Sequence, residues 1–342
     1  MRRLGNTLYI TSQGTWLSKE GDCVLVKRED DTKTRVPITA VDGIVCFGRV
    51  SISPFLLGHA AESGAIITHL TEYGRFLARI EGPVSGNVRL RRAQYRASDN
   101  PATCAALVRA IVAGKVHNQR HVLRRAMRDH GADGGGLLAK GLERLDASLR
   151  RLQSDTEADV DGLRGVEGEA AQAYFAAFPA LLRGGGFIFA GRRRRPPPDP
   201  VNALLSFLYV LLTHDARSAL ETVGLDSAVG FLHRDRPGRP SLALDLVEEF
   251  RAWFADRLAL TLINRGQLTL GDFETSESGA VGLSEAARKT VLVAYQERKR
   301  EEIRHPFTDE TMAVGLLWFM QARLMAMHLR GDLDAYPPFL AR

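Results

Sequence analysis

The spacing of apolar residues changes period once along this chain. Residues 1–84 carry short runs rich in Val, Ile, Thr and Phe, separated by Gly, Asp and Asn. That pattern predicts strands at 6–11, 15–17, 23–27, 34–37, 43–47, 66–70 and 76–80. One helix is expected among them at 54–62, with Ser53 as its cap and Pro54 in its first turn. Beyond residue 88 the apolar positions recur every three to four residues. Helices are expected at 88–98, 101–130, 136–153, 157–178, 200–223, 241–264, 284–304 and 311–330. Ser241, directly after Pro240, is the expected cap of the 241–264 helix.

Gly82-Pro83-Val84-Ser85-Gly86 falls where the period changes and is the best linker candidate. The organisation is therefore α+β. A small N-terminal β-rich domain (1–84) and a linker (85–90) precede a larger all-α C-terminal domain (91–342). Gly131–Gly136 and Gly184–Gly186 are helix breakers, and the prolines of 192–200 hold that segment extended.

Composition narrows the class without choosing a function. The 342 residues are 45% hydrophobic and 25% charged, which suits an ordinary globular protein. The net charge of +6 favours an anionic partner, but only weakly. Three cysteines, Cys23, Cys46 and Cys104, lack C-x-x-C spacing, which excludes a four-thiolate zinc or iron–sulfur site. They are expected to be reduced thiols in the cytoplasm. The N-terminus alternates like a strand and lacks the apolar core of a signal peptide. The most apolar run, 201–213, is too short to span a membrane and reads as a buried helix.

Candidate chemistry gathers in the helical domain. On the 157–178 helix, Leu163, Glu167, Ala170, Ala171 and Tyr174 share one stripe, apolar except for Glu167 and the tyrosine hydroxyl. A carboxylate on an inward face is costly unless it is paired or meets a cation. Glu167 could equally pair with an arginine such as Arg164 or sit at a solvent boundary. Gly168 beside it would permit close approach of a backbone or a ligand. Asp245 and Glu248, three apart, are neighbours on another helix, with Glu249 further round. The alternative there is a solvated acidic face. His233 lies twelve residues before Asp245 in a loop rich in Pro and Gly, where a surface role is the ordinary one. One imidazole with two or three carboxylates suits a hard divalent cation that keeps positions open for substrate oxygens. Nearby arginine suits phosphate.

Other patterns carry less. His233-Arg234-Asp235 spells part of a kinase catalytic loop, but the other kinase motifs are missing from the sequence. His117 and His121 have zincin spacing without the required glutamate, since Asn118 stands in its place. Arg192, Arg193, Arg194 and Arg195 form the densest basic run, followed by prolines that would keep it extended along phosphates. A merely solvated basic loop is the competing interpretation. Arg89, Arg91, Arg92, Arg298, Lys299, Arg300, Arg304 and His305 rank second for DNA. Tyr174 and Tyr209 could stack bases, or be buried.

The strings RGVEGEAAQAYF (164–175), GRRRRPPPDPVNALLSFLYVLLTHD (191–215) and VGFLHRDRPGRPSLALDLVEEFR (229–251) resemble the CRISPR-associated integrase and endonuclease family Cas1. INRGQL (263–268), YQERKREEIRHP (295–306), LRGDLDAYPPF (329–339) and LGNTLYITSQGTWLSKEGD (4–22) extend the resemblance over essentially the whole chain, nearest to the type I-C branch. The resemblance implies an N-terminal β domain, expected to mediate dimerisation, and a helical catalytic domain. It also implies a Mg²⁺ or Mn²⁺ site formed by Glu167, His233 and Glu248, with Asp245 as a fourth acidic position. Some members of the family have D-x-x-D where this chain has D-x-x-E, which leaves open whether Asp245 or Glu248 is the third ligand. The implied reaction is metal-dependent insertion of captured DNA fragments into a CRISPR repeat by transesterification, with nuclease activity at the same site. A non-catalytic DNA-binding scaffold on the same fold is the competing function. The implied partners are DNA, a second copy of the chain, the small protein Cas2 in a heterohexamer, and a separate Cas4 chain. No membrane is implied.

Overall fold

In a computed structural model, the structure describes residues 6–72, 76–80, 82, 88–131, 136–184, 186–193, 196–277 and 279–342. The chain forms two compact units, Met1–Ser85 with Arg288–Val293 and Gly86–Ala287 with Ala294–Arg342. The expected linker falls mostly outside the described residues.

The first unit holds β1 (Asn6–Ile10), β2 (Thr15–Glu20), β3 (Cys23–Lys27), β4 (Lys33–Pro37), β5 (Val41–Phe47), β6 (Val50–Ile52), α1 (Pro54–Ser63), β7 (Ile66–Leu70) and β8 (Phe76–Ile80). They form two four-stranded sheets, ordered β1-β5-β7-β8 and β4-β3-β2-β6. β1, β5 and β7 run parallel, as do β2 and β6, and the remaining neighbours are antiparallel. Period-two alternation drives burial: Thr15 and Leu17 on β2, and Val24 and Val26 on β3, all point inward. They pack with Ile44, Cys46, Ile67 and, from α1, Leu56 and Ala60. α1 begins where the sequence places it. Ser53 Oγ accepts from the Leu56 N–H at 3.3 Å, and Pro54 fills the first turn. β6 was not anticipated: three residues are too few for a periodic signal.

The second unit contains α2 (Val88–Asp99), α3 (Pro101–His130), α4 (Leu137–Ser154), α5 (Val160–Ala177), α6 (Pro200–Val223), α7 (Ser241–Phe250), α8 (Arg257–Asn264), both ends of α9 (Glu285–Arg300), whose residues Arg288–Val293 belong to the first unit, and α10 (Leu317–Arg330). Short polar residues before a first-turn Pro start two of them. Asn100 accepts from Thr103 N–H at 2.9 Å on α3, and Asp199 accepts from Asn202 N–H at 2.8 Å on α6. The 30-residue α3 is the central post, packed by α2, α4, α5 and α7.

Three expectations change here. The unit is not all-α: two short hairpins, β9 (Phe273–Thr275) with β10 (Val281–Leu283) and β11 (Glu302–Arg304) with β12 (Thr311–Ala313), interrupt it. Each strand is three residues long, so none carries an alternating signal. The 241–264 helix is also not uniform, since Arg251–Asp256 widens into a π-helical turn between α7 and α8. Its aromatic packing explains the tolerance: Trp253 and Phe254 lock against Phe339, Tyr295 and Trp318 at ring separations of 5.0–5.1 Å. Finally, Ser241 makes no cap bond and is the first residue of α7; its hydroxyl donates to the Arg234 carbonyl instead.

Burial divides the thiols. Cys46 lies in the β-domain core, which pushes its thiol up to about 12, and burial also raises that of Cys104. Cys23 is only half-buried. In the native protein a thiol-specific reagent should therefore titrate Cys23 rapidly, and Cys46 and Cys104 only after denaturation. Peptide mapping of the labelled chain checks this.

Candidate functional site

The site grows out of one loop and three helices of the second unit. The chain after α6 turns at Gly224 and runs through 225–240 before entering α7. Asp245, on the first turns of α7, is fully buried and organises this loop. Its Oδ2 accepts from the N–H groups of Phe231 (2.6 Å) and Leu232 (3.0 Å). Its Oδ1 accepts from the His233 N–H (2.9 Å) and from His233 Nδ1 (2.6 Å). Four bonds saturate the carboxylate. They also leave His233 Nε2 directed at Glu248, 3.8 Å from its Oε1. Gly230 makes this approach possible, because a Cβ there would lie 2.8 Å from Ser241 and 2.9 Å from Asp245 Oδ2. Arg164 of α5 fastens the loop from outside by donating to the Leu232 carbonyl at 2.7 Å.

Glu248, one helical turn beyond Asp245, is 2% exposed. Arg251, three residues on at the start of the π turn, holds its Oε1 at 2.7 Å. Lys115 Nζ lies 2.7 Å from its Oε2 and also pairs with Glu167 of α5. Burial by itself pushes the Glu248 carboxyl up. The Arg251 guanidinium, the Lys115 ammonium and His233 outweigh it and hold the carboxyl well below the usual range, so Glu248 is ionised. Its Oε2 nonetheless has no hydrogen bond: the ammonium is at ion-pair distance but off the bonding direction.

Glu167 sits at the rim of the buried stripe of α5, its side chain 26% exposed, and faces Lys115 rather than Arg164, which pairs with Asp161. Next to these groups is a cleft lined by Lys115, Glu167, Glu248, Arg251, Arg192 and Tyr209, among others. Two guanidiniums lie over the Tyr209 ring, Arg192 at 5.1 Å and Arg251 at 5.0 Å from its centroid. Its hydroxyl donates to Asp256 at 2.7 Å, and burial pushes that carboxyl up to about 6.

The tertiary structure thus brings Glu167, His233 and Glu248 to one place and puts Asp245 behind His233, where its oxygens are already used. The donor types, two carboxylates and an imidazole, suit Mg²⁺ or Mn²⁺, and the orphaned Glu248 Oε2 is a donor atom with bonding capacity left. As the side chains stand, however, no three His, Cys, Asp or Glu groups among the described residues are close enough to hold a metal ion. Lys115 is what the two carboxylates share.

Lys115 and Arg251 were missed from the sequence. Lys115 stands among Ile111, Val112 and Val116 on α3, and a lysine in such an apolar stretch was the available signal. Gly168 permits no close packing, since a Cβ there meets nothing within 4 Å.

Several of the expected DNA contacts are corrected. Lys299 is 4% exposed and buried in an ion pair with Asp215 at 2.8 Å, so it cannot meet a phosphate. Arg298 packs over Trp253 and Phe254 and donates to the Trp253 carbonyl, and burial lowers its affinity for its proton. His305 is fully buried against Gln321. Tyr174 is fully buried against Phe175 and Phe178. Arg192 is bound to Asn202 and Ser206 in the wall of the cleft rather than lying loose, Arg193 is exposed, and Arg194 and Arg195 lie outside the described residues.

A family model described as "CRISPR associated protein Cas1" matches residues 8–297. A "CRISPR-associated endonuclease Cas1 1" of Chlorobaculum tepidum is 56% identical over 345 residues, covering 100% of both chains. A solved casposase bound to integration product superposes with a TM-score of 0.84 at 20% identity, over 98% of this chain and 94% of that one. A chain of a Cas6-RT-Cas1--Cas2 complex gives a TM-score of 0.83 at 22% identity, over 100% of this chain and 37% of that one. At such identities these two structures speak to fold.

Replacing Asp245 by Ala would strand three backbone N–H groups and one imidazole, and should lower stability by about 3 kcal/mol or more. Gly230→Ala should cost about 1–3 kcal/mol through overpacking. Glu167→Gln, at the partly exposed rim, should cost less than either of the others, because Lys115 keeps Glu248 as its partner. Urea unfolding of the three variants gives the order directly.

Proposed function

This chain belongs to the CRISPR-associated Cas1 family, and on that premise we propose that it is a divalent-cation-dependent DNA endonuclease and integrase that inserts captured DNA fragments into a CRISPR array. The observation that carries the reading is that Glu167 and Glu248, from two helices, line one cleft, with His233 Nε2 directed at Glu248 from the 225–240 loop. The names of the family's curated relatives support nuclease activity, and the likeness to a casposase bound to integration product is consistent with strand transfer. We place the chain in the type I-C branch on the strings at 164–175, 191–215 and 229–251.

In this reading Glu167, His233 and Glu248 hold Mg²⁺ or Mn²⁺, and Asp245 fixes the His233 ring through Nδ1, as carboxylates behind metal-bound imidazoles do. The cation, when bound, polarises a phosphoryl oxygen and stabilises charge on the attacking or leaving oxygen. A DNA 3′-hydroxyl attacks phosphorus, forming one P–O bond as another breaks; with water as the attacking group the same site is a nuclease. The guanidiniums of Arg192 and Arg251, both held over Tyr209, orient phosphate in the cleft. Exposed Arg193 is a phosphate contact in this reading, as the basic run 192–195 suggests from the sequence. The assembly is a homodimer that joins Cas2 in a heterohexamer, with Cas4 as a separate chain. The three unpaired cysteines support a cytoplasmic setting.

A second reading has a specific observation behind it. The carboxylates are already neutralised by Lys115 and Arg251, as a non-catalytic DNA-binding scaffold would have them. Strand transfer of a labelled DNA fragment into a supercoiled plasmid bearing the repeat, with Cas2 and Mn²⁺, separates the two. Wild type should join the DNA. Glu167→Gln, His233→Ala and Glu248→Gln should each lose on the order of 10²-fold or more, the scale of removing one preorganised charge-stabilising group, while salt-sensitive DNA binding persists. Asp245→Asn should lose about 10–100-fold. Tight DNA binding by wild type with no joining would establish the scaffold instead.

A further inference from the structure

Lys115 is an ammonium enclosed in the helical core, its side chain 6% exposed, within ion-pair distance of two carboxylates from two other helices. The two carboxylates nearest it are already matched by two cations. Glu167 and Glu248 contribute two negative charges, and Lys115 and Arg251 two positive ones. Asp245 stands with His233 and the loop amides. A divalent cation entering between Glu167 and Glu248 would add two charges to carboxylates that Lys115 and Arg251 already neutralise, in a buried setting where like charges repel strongly. One resident cation has to withdraw.

Arg251 is poorly suited to leave. Its guanidinium is at once in contact with Glu248 and stacked on Tyr209. Lys115 carries a point charge on a flexible four-carbon stem. It holds Glu248 Oε2 without a hydrogen bond, and it lines the cleft, which gives the ammonium somewhere to go. That same cleft is walled by Arg192 and Arg251, so a phosphodiester seated there would lie within reach of the displaced ammonium.

We propose that Lys115 is a built-in competitor of the divalent cation: its ammonium occupies the carboxylates of Glu167 and Glu248 until the cation displaces it into the cleft, where a DNA phosphate accepts it. This rests on the reading that Glu167, His233 and Glu248 hold a cation. Its consequence is coupling. Alone, the cation must overcome the ion pairs of Lys115; with DNA present, the released ammonium has a new partner. Cation and DNA therefore tighten each other's binding by the same factor. The device keeps the site closed to metal until a phosphodiester is at hand.

The test is Mn²⁺ binding, read by electron paramagnetic resonance of free Mn²⁺, on the full chain with and without a short DNA duplex. Lys115→Met keeps the length of the side chain and removes its charge. Without DNA, the variant should bind Mn²⁺ at least about tenfold more tightly than wild type. DNA should tighten Mn²⁺ binding in wild type and do so much less in the variant. Equal or weaker Mn²⁺ binding by a folded Lys115→Met would overturn the proposal. Absence of binding by both proteins would instead overturn the cation reading of Glu167, His233 and Glu248, and the proposal with it.

If Lys115→Met does not fold, wild type alone decides. Acylation of lysines by an amine-reactive ester, mapped by mass spectrometry, should show Lys115 protected in metal-free protein and more reactive with Mg²⁺, with exposed Lys140 unchanged as the reference. Unchanged or reduced labelling of Lys115 under Mg²⁺ concentrations that saturate the protein would overturn displacement.

Discussion

An ionised carboxylate at 2% exposure constrains everything around it in the helical unit. Burying a charge is costly unless opposite charge and hydrogen bonds come with it. For Glu248 they come from three directions. Arg251 follows on the π turn, Lys115 crosses from α3, and His233 approaches on the 225–240 loop. α3 must therefore pass close to α7, the loop must fold back over α7, and the helix must widen just after Glu248. Each of these is a visible feature of the fold.

Asp245, Glu248 and Glu249 look like one acidic patch in the sequence but do three different jobs. Asp245 spends all its acceptor capacity on the loop. Glu248 faces the cleft. Glu249 turns to the opposite side and gathers the C-terminal segment, accepting from Tyr336 Oη (2.7 Å), Gln321 Nε2 (3.0 Å) and the Phe339 N–H (2.7 Å). Burial pushes its carboxyl up to about 8 against those donors. Asn118 of α3 completes the clasp through the Phe339 carbonyl and the Ala341 N–H. A 100° step per residue separates adjacent side chains on a helix, so neighbours in sequence meet different surroundings.

The π turn ties packing to chemistry. Opening the helix after Phe250 places Arg251 against Glu248 and Tyr209, and Asp256 against the Tyr209 hydroxyl. Aromatic contacts of Trp253 and Phe254 hold the widened turn. Irregular turns of this kind cost backbone hydrogen-bond geometry and recur at functional sites.

Much was legible before any coordinates. The change from period two to period 3.6 separated the β unit from the helical one, because burial of one face imposes those periods directly. Ser53 announced its helix because a cap is a local hydrogen bond. The long motifs around Glu167 and His233 pointed to the family. Three-residue strands and the π turn were not legible, since elements that short leave no periodic trace. Nor was it legible that Lys299 would be buried with Asp215, that Asp245 would be consumed by the loop, or that Lys115 would stand between Glu167 and Glu248. Lys115 is 52 positions from Glu167 and 133 from Glu248, and Lys299 is 84 from Asp215; the sequence records residue type without recording which distant side chain will share its desolvated space. Local periodicity was settled by the sequence itself; the pairing of buried charges was decided by the tertiary structure, because electrostatics in a low-dielectric interior depends on distance through space.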